Sequence, residues 1–474
     1  MTPPTLRLRE WTCRGPTDPD ARILHGRQLT DADRRVLGDL KGTSLAVEEL
    51  RAGLRVTTGA HVGTVTFTDF RIVVLPKIGL RNLMRMVGFA FELDDLRLSE
   101  SSSRYALGAD GLVDLLGLSL LHAVERLVRG GLLPRYETRL DDLPSPRGRI
   151  DILHAATHPR RGRLRCEFDE LTDDHLLNQA LAAGLRLAAR VVDNRDLGMD
   201  LARAADRFFA DHQRVRLDAD VLARAHAQLS RRSSHYQTAM QLISLLFDGS
   251  RLEDHAAEGR TSLASFLLNM NDVFERFLER HLRRVAPPGL TVLGQDRRDD
   301  AFQYAANPSG WHRPTIRPDL VFRQRGSVLA IGDAKYKNRH DNPPSSAELY
   351  QLTTYGLAYP LPAPRTVLLF HPLAERETDR PASLTFAPGA VSEPVEIRLV
   401  GVPVDRILEG ERWWPNHPAL ALPQPTGPKI EEHHAASCRH PPGGPLDLPF
   451  SPYHPEVRHE RPRLVDAPGS PDGG

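Results

Sequence analysis

Asp319, Asp333 and Lys335 have the types and spacing that could cut a phosphodiester. Thr315-Ile-Arg-Pro-Asp-Leu-Val-Phe322 reads as a strand, Arg323-Gln-Arg-Gly326 as a turn, and Ser327-Val-Leu-Ala-Ile-Gly-Asp-Ala-Lys335 as a second strand. Gly326 is the midpoint of positions 319 and 333, so a regular hairpin sets the two aspartates opposite each other, with Cβ atoms roughly 4.5–5.5 Å apart. Carboxylates that close repel unless a cation lies between them. A hard divalent ion suits such oxygen ligands, magnesium first and manganese as its substitute. Lys335 shares the strand face of Asp333. Ala334 points into packing, while its carbonyl could serve as a further metal ligand. An ammonium beside the metal can position a water, help it lose a proton and steady charge growing on a phosphate. The competing reading is an ordinary ion pair on an exposed hairpin. The apolar run Val328-Leu-Ala-Ile-Gly332 argues against it, and only five of the 62 basic residues are lysines.

These residues need elements to hold them. A helix expected over Ser262–Val285 carries Leu263, Phe266, Leu267, Met270, Phe274, Phe277 and Leu278 on one side. Glu275 flanks that stripe and shares a face with Asn271. It can reach the metal from the side, or be a solvated helix charge. On a second helix, Ala347–Ala358, Gln351 and Tyr355 are an i, i+4 pair that can face the same strands, or form plain helix surface with a half-buried tyrosine. With a strand at Thr366–Phe370, residues 255–415 read as a mixed sheet flanked by helices. Upstream, glycine-punctuated strands at Ser44–Leu50, Leu54–Thr58, Val62–Thr68 and Arg71–Leu75 suggest a small β-rich N-terminal domain over 1–100. Residues 101–254 read as mainly helical, with leucine-rich stripes at Leu112–Leu127, Leu176–Val192 and Leu201–His212. A Pro/Gly-rich loop at 134–150 interrupts them. Residues 416–474 hold 13 prolines and few aromatics, so a disordered tail is expected there.

Taken in order, Phe274-Glu275, Arg317-Pro-Asp319, Asp333-Ala-Lys-Tyr336 and Tyr350-Gln-Leu-x-x-Tyr355 resemble the McrC family, nuclease subunits of McrBC-type modification-dependent restriction systems in the PD-(D/E)XK superfamily. The resemblance extends upstream through Val74-Leu-Pro-Lys-Ile78, Arg147-Gly-Arg-Ile150 and Phe168–Asp174. It implies an α/β multi-domain chain ending in a PD-(D/E)XK nuclease domain. Asp319, Asp333, Lys335, Glu275, Gln351 and Tyr355 would then be catalytic, and Asp319, Asp333, Ala334 and Glu275 would hold Mg2+. It also implies a partner, an McrB-like ring-forming AAA+ GTPase that recognises and translocates modified double-stranded DNA. The N-terminal part of this chain would contact that ring and stimulate its hydrolysis.

Composition agrees with a globular chain: 40% hydrophobic and 26% charged residues. The net charge of +1 gives no global attraction for a polyanion, so DNA contact must come from local patches. Arginines 276, 280, 283, 284, 297 and 298 could line a phosphate groove or be a solvated face. His433, His434, Cys438 and His440 read as an incidental cluster rather than a zinc site, and Trp413-Trp414 as an apolar cap. The three distant cysteines and the absence of a leader or an 18-residue apolar run point to a cytoplasmic protein without a membrane span. No GxxxxGK[ST] loop occurs, so any NTPase motor belongs to a partner. Two other functions compete with a cutting subunit: a non-cutting adaptor of an NTPase, and a stand-alone repair nuclease of the same fold.

Overall fold

The glycine-punctuated strands near the N-terminus build two small sheets. β1 (Thr5–Arg9) runs parallel to β6 (Arg71–Leu75), which pairs with β5 (His61–Thr66), while β2 (Cys13–Arg14), β4 (Gly53–Thr57) and β3 (Ala46–Leu50) form the second sheet. The β-branched runs His61-Val-Gly-Thr-Val and Ile72-Val-Val are buried on both faces, which suits central strands. Between β2 and β3, α1 (Asp31–Asp39) starts in a capping box between Thr30 and Asp33. The computed structural model describes residues 3–40, 45–93, 111–157, 162–250, 265–337, 339, 342–373, 377–386 and 393–414. The expected tail and its His/Cys cluster lie outside these residues.

Next come α2 (Gly79–Ala90) and the apolar helix α3 (Leu112–Gly130). The segment expected to be a loop at 134–150 is mostly strand: β7 (Arg135–Leu143) and β8 (Arg149–Ile150) both pair with β9 (Leu164–Thr172), with α4 (Ile152–Thr157) between them. β7 is polar and largely exposed, so it carries no alternating apolar signal. The middle region is therefore helical with an added three-stranded sheet. Its remaining helices are α5 (Leu176–Val191), α6 (Arg195–Phe208), α7 (Ala219–Ala227) and α8 (Gln237–Gly249). The third expected stripe begins earlier than Leu201, because Asn194 caps α6 by accepting the Leu197 N–H.

The helix expected from Ser262 is also corrected. Ser262 and Leu263 lie outside the described residues, and Phe266–Asn269 is a strand, β10, antiparallel to β5. Its side chains alternate: Phe266 and Leu268 enter the large core, and Leu267 enters the core of the N-terminal sheets. Asn269 then caps α9 (Met270–Val285), accepting the Asn271 N–H at 3.0 Å.

A six-stranded mixed sheet follows. Its strands are β11 (Leu290–Gly294), β12 (Leu320–Gln324), β13 (Ser327–Ala334), β14 (Arg365–Pro372), β15 (Ala382–Phe386) and β16 (Val395–Val402), in the order β11-β12-β13-β14-β16-β15. β13, β14 and β16 are parallel, and the other pairings are antiparallel. One face, with Phe322, Ala330 and Phe370, packs into the large core with α9. The other face packs Val321 and Ile331 against Tyr355 and Tyr359 of α10 (Ser346–Ala358). α11 (Val404–Leu408) closes the described chain, and Trp414 stacks on Phe322 at 5.3 Å, the apolar cap expected of the tryptophan pair. The large core runs continuously from Ala60 to Trp414, across the expected boundaries near residues 100 and 255. Among the described residues no helix is long and apolar enough to cross a membrane.

Candidate active site

The β12–β13 hairpin turns at Arg325-Gly326, both with positive φ (49° and 85°), the backbone of a two-residue hairpin turn. Gln324 pairs with Ser327 and Arg323 with Val328; the register then shifts, and Phe322 pairs with Ala330. The turn is thus centred half a residue before Gly326, and the bulge at Leu329 restores the missing half. Leu320 pairs with Gly332, so one step further Asp319 stands opposite Asp333. The expected opposition holds, by turn plus bulge rather than by simple symmetry.

Asp319 Oδ2 accepts the Ala334 N–H at 2.8 Å. Asp333 is 1% exposed, and neither of its carboxylate oxygens receives an aligned hydrogen bond. The Lys335 ammonium lies 2.8 Å from Asp333 Oδ2, an ion pair that shares one positive charge with two buried acids. Burial, more than any neighbour, raises both aspartates to about 6; the Glu275 charge adds to this at Asp319, and the Asp319 charge at Asp333. Burial pulls Lys335 down, but the two aspartates outweigh it and its affinity for a proton is raised. The ammonium therefore stays charged beside a pair that resists double ionisation.

Two helices approach this pair. From α9, Glu275 is raised by burial and stands near enough for its charge to act on Asp319. Its carboxylate accepts a short hydrogen bond from the Gln295 side chain, and the Gln295 N–H donates to the Asp319 carbonyl at 2.9 Å. Gln295, held at φ 50°, thus ties Glu275 to Asp319. Nothing in the sequence marks it. Asn271, one turn before Glu275, accepts the Tyr336 N–H at 3.3 Å. From α10, the Tyr355 hydroxyl donates to the Arg317 carbonyl at 3.2 Å and accepts from Gln351 at 2.7 Å. Burial raises Tyr355, and both aspartate charges add to the shift. Gln351 itself is exposed and reaches the site through Tyr355. Ala334 is buried in the large core, as expected of its side chain. Among the described residues, no three His, Cys, Asp or Glu side chains are gathered to hold a metal ion. Asp319 and Asp333 are a pair, with Glu275 engaged by Gln295.

Residues 56–372 match the family described as McrBC 5-methylcytosine restriction system component. The chain belongs to this family. Within the McrBC match lie Glu275, Asp319, Asp333, Ala334, Lys335, Gln351 and Tyr355. A curated relative, the type IV methyl-directed restriction enzyme EcoKMcrBC of Escherichia coli K12, is 22% identical over 291 residues, covering 59% of this chain and 81% of the relative. Among solved structures, the half-complex from the tetradecameric assembly of Thermococcus gammatolerans McrB AAA+ hexamers with bound McrC aligns at 20% identity with a TM-score of 0.48. That alignment covers 85% of this chain and 98% of the other. The T. gammatolerans McrBC complex aligns at 19% identity and a TM-score of 0.38, over 60% and 88% of the two chains.

The arginines weighed as a phosphate groove have other uses in this McrBC component. Arg280 donates to the Phe89 carbonyl and pairs with Glu92, Arg283 pairs with Glu279, Arg297 with Asp299 and Arg298 with Asp300. Arg276 lies over the Phe91 ring at 5.0 Å. Arg276 and Arg280 are thus claimed by residues distant in sequence, whereas Arg283, Arg297 and Arg298 pair with acids within four residues of themselves.

Proposed function

We propose that this chain is the endonuclease subunit of a modification-dependent, methylcytosine-type restriction system. It would hydrolyse DNA phosphodiesters with Mg2+ in a PD-(D/E)XK domain and stimulate a partner McrB-like AAA+ GTPase. The observation that carries the reading is Asp333: a fully buried carboxylate whose two oxygens lack aligned donors, opposite Asp319 and beside the Lys335 ammonium. Two buried carboxylates with a single ammonium beside them leave a negative charge uncompensated when both ionise, and a cation would offset it. Asp319, Asp333 and the Ala334 carbonyl would hold the ion, with Glu275 completing the oxygen set once released from Gln295. A bound magnesium ion supplies charge neutralisation at the phosphate and a more acidic water.

The chain's own residues do the rest. Lys335 stays protonated between the aspartates, so it can orient a water and offset negative charge building on the phosphate oxygens. Tyr355, fixed by Arg317 and Gln351, shields the α10 side of the pair from solvent. Family membership as a restriction-system component supports division of labour with a GTPase, and residues 1 to about 250 are the part proposed to dock on it. The test mixes the full chain, methylated DNA, magnesium and an McrB-like AAA+ GTPase, with GTP. Wild type should cut, and Asp333→Ala and Lys335→Ala should not, with folding unchanged by circular dichroism. Cutting retained by Asp333→Ala refutes the assignment; GTPase stimulation without any wild-type cutting favours the adaptor.

A further inference from the structure

The segment between β11 and β12 leaves the site through an antiparallel bridge in which Arg298 and Ile316 exchange both backbone hydrogen bonds at 2.9 Å. A second rung, Thr315 Oγ1 donating to Asp299 at 2.8 Å, closes its neck. Residues 299–315 thus form a closed loop whose bridge residues, Arg298 and Ile316, stand three residues from Gln295 and from Asp319 respectively. Its interior is fastened. The Trp311 N–H donates to Asn307 Oδ1 at 2.9 Å, Asn307 Nδ2 donates to the Trp311 carbonyl at 2.8 Å, and the Tyr304 hydroxyl donates to the His312 carbonyl at 3.1 Å. Yet the loop turns its aromatics outward: Trp311 is 67% exposed, Phe302 43% and Tyr304 39%. The Tyr304 and Trp311 rings lie 6.4 Å apart.

A hydrogen-bonded loop that holds three large rings in water is shaped for something that covers them. Charge says what. The loop's acids, Asp299 and Asp300, are neutralised by Arg297 and Arg298, while Arg313 near its end and Arg317 just past its neck are exposed. Aromatic faces beside cationic side chains suit bases and phosphates together. Resting on the nuclease reading above, we propose that residues 299–315 grip the DNA strand being cut. Trp311, with Tyr304 beside it, stacks on a nucleobase next to the phosphate at Asp319 and Asp333. Arg313 and Arg317 hold the adjoining phosphates.

The test uses the full-length chain and methylated duplexes carrying 2-aminopurine at successive positions around the cut. Binding is read in chelator, and cleavage with magnesium, GTP and the cognate GTPase. Wild type should quench the probe at one or two positions. Trp311→Ala should lose that quench and bind roughly five- to hundredfold more weakly. Trp311→Phe should restore most of both, which a merely structural role would not require. Unchanged binding and quench in Trp311→Ala, with wild type still cutting, overturn the loop assignment and leave the nuclease reading standing. A Trp311→Ala chain that binds DNA normally but no longer engages the GTPase overturns it in favour of protein docking. Failure of wild type to cut at all sinks the nuclease reading, and the loop with it.

Discussion

Asp333→Asn should stabilise the metal-free protein at alkaline pH. Burial and the opposed Asp319 raise the Asp333 carboxyl from its ordinary 3.8 to about 6. A shift of about two units corresponds to roughly 3 kcal/mol for ionising the pair, counted as one shared step because the two titrate together. Asparagine keeps the shape and removes the repulsion. It also deprives Lys335 of a partner at 2.8 Å and leaves a desolvated amide, so a net gain of about 1–2 kcal/mol is expected at pH 8. Between pH 3.8 and about 6 the folded chain keeps protons that the unfolded chain has released. Wild-type stability therefore falls as pH rises through that window and stays lower above it. Urea titrations in EDTA at pH 8 and pH 5 read the effect, and the variant's advantage should shrink by roughly half at pH 5. Magnesium should then stabilise wild type and leave the variant unmoved. A variant less stable than wild type at pH 8, or a gap that ignores pH, would refute the repulsion argument.

Three further outcomes follow from contacts around the site. Gly63→Ala puts a Cβ 2.1 Å from the Phe266 carbonyl oxygen at φ +138°, so thermal melting should drop by the equivalent of about 1–3 kcal/mol; an unchanged Tm would mean that β5 and β10 are not so paired. Glu348 is pulled up by burial, but hydrogen bonds from Arg339, Ser345 and Lys337 win and hold it well below 4.5, so its contribution is present above that pH and lost as pH falls below it. Glu348→Gln should accordingly cost about 1–3 kcal/mol in urea at pH 7, with the gap closing on acidification. Tyr355→Phe removes the hydroxyl between Gln351 and Arg317 and should cost about 1 kcal/mol, whereas Gln351→Ala, at an exposed position, should cost less by the same titration.

The sequence was most readable where one periodicity dominates. Ile72-Val-Val-Leu75 and Val328–Ala334 have the β-branched, apolar character of buried strands, and both are strands. Phe266-Leu-Leu-Asn269 fits helical spacing when joined to Met270 and Phe274, and also fits a strand buried on both faces. The cap at Asn269 was the signal that separates them. β7 has no buried face to betray it. In the site, the D-x-K spacing survives folding because a strand's period is local. The Leu329 bulge, the Gln295 tie and the partners of Arg276 and Arg280 depend on residues brought near only by the fold.

The pairing of β10 with β5 bears on how this gene could be recombined. Met270 of α9 donates its N–H to the Ala60 carbonyl, and Glu275 follows little more than one helical turn later. A C-terminal half excised at residue 255 would keep a strand whose sheet stays behind, an open edge prone to pair with other chains. A chimera that exchanges the C-terminal half between relatives must therefore carry β5 and β6 with it, or join at Asn269 and preserve the cap. The natural seam lies inside what looks, in one dimension, like the first helix of the C-terminal domain.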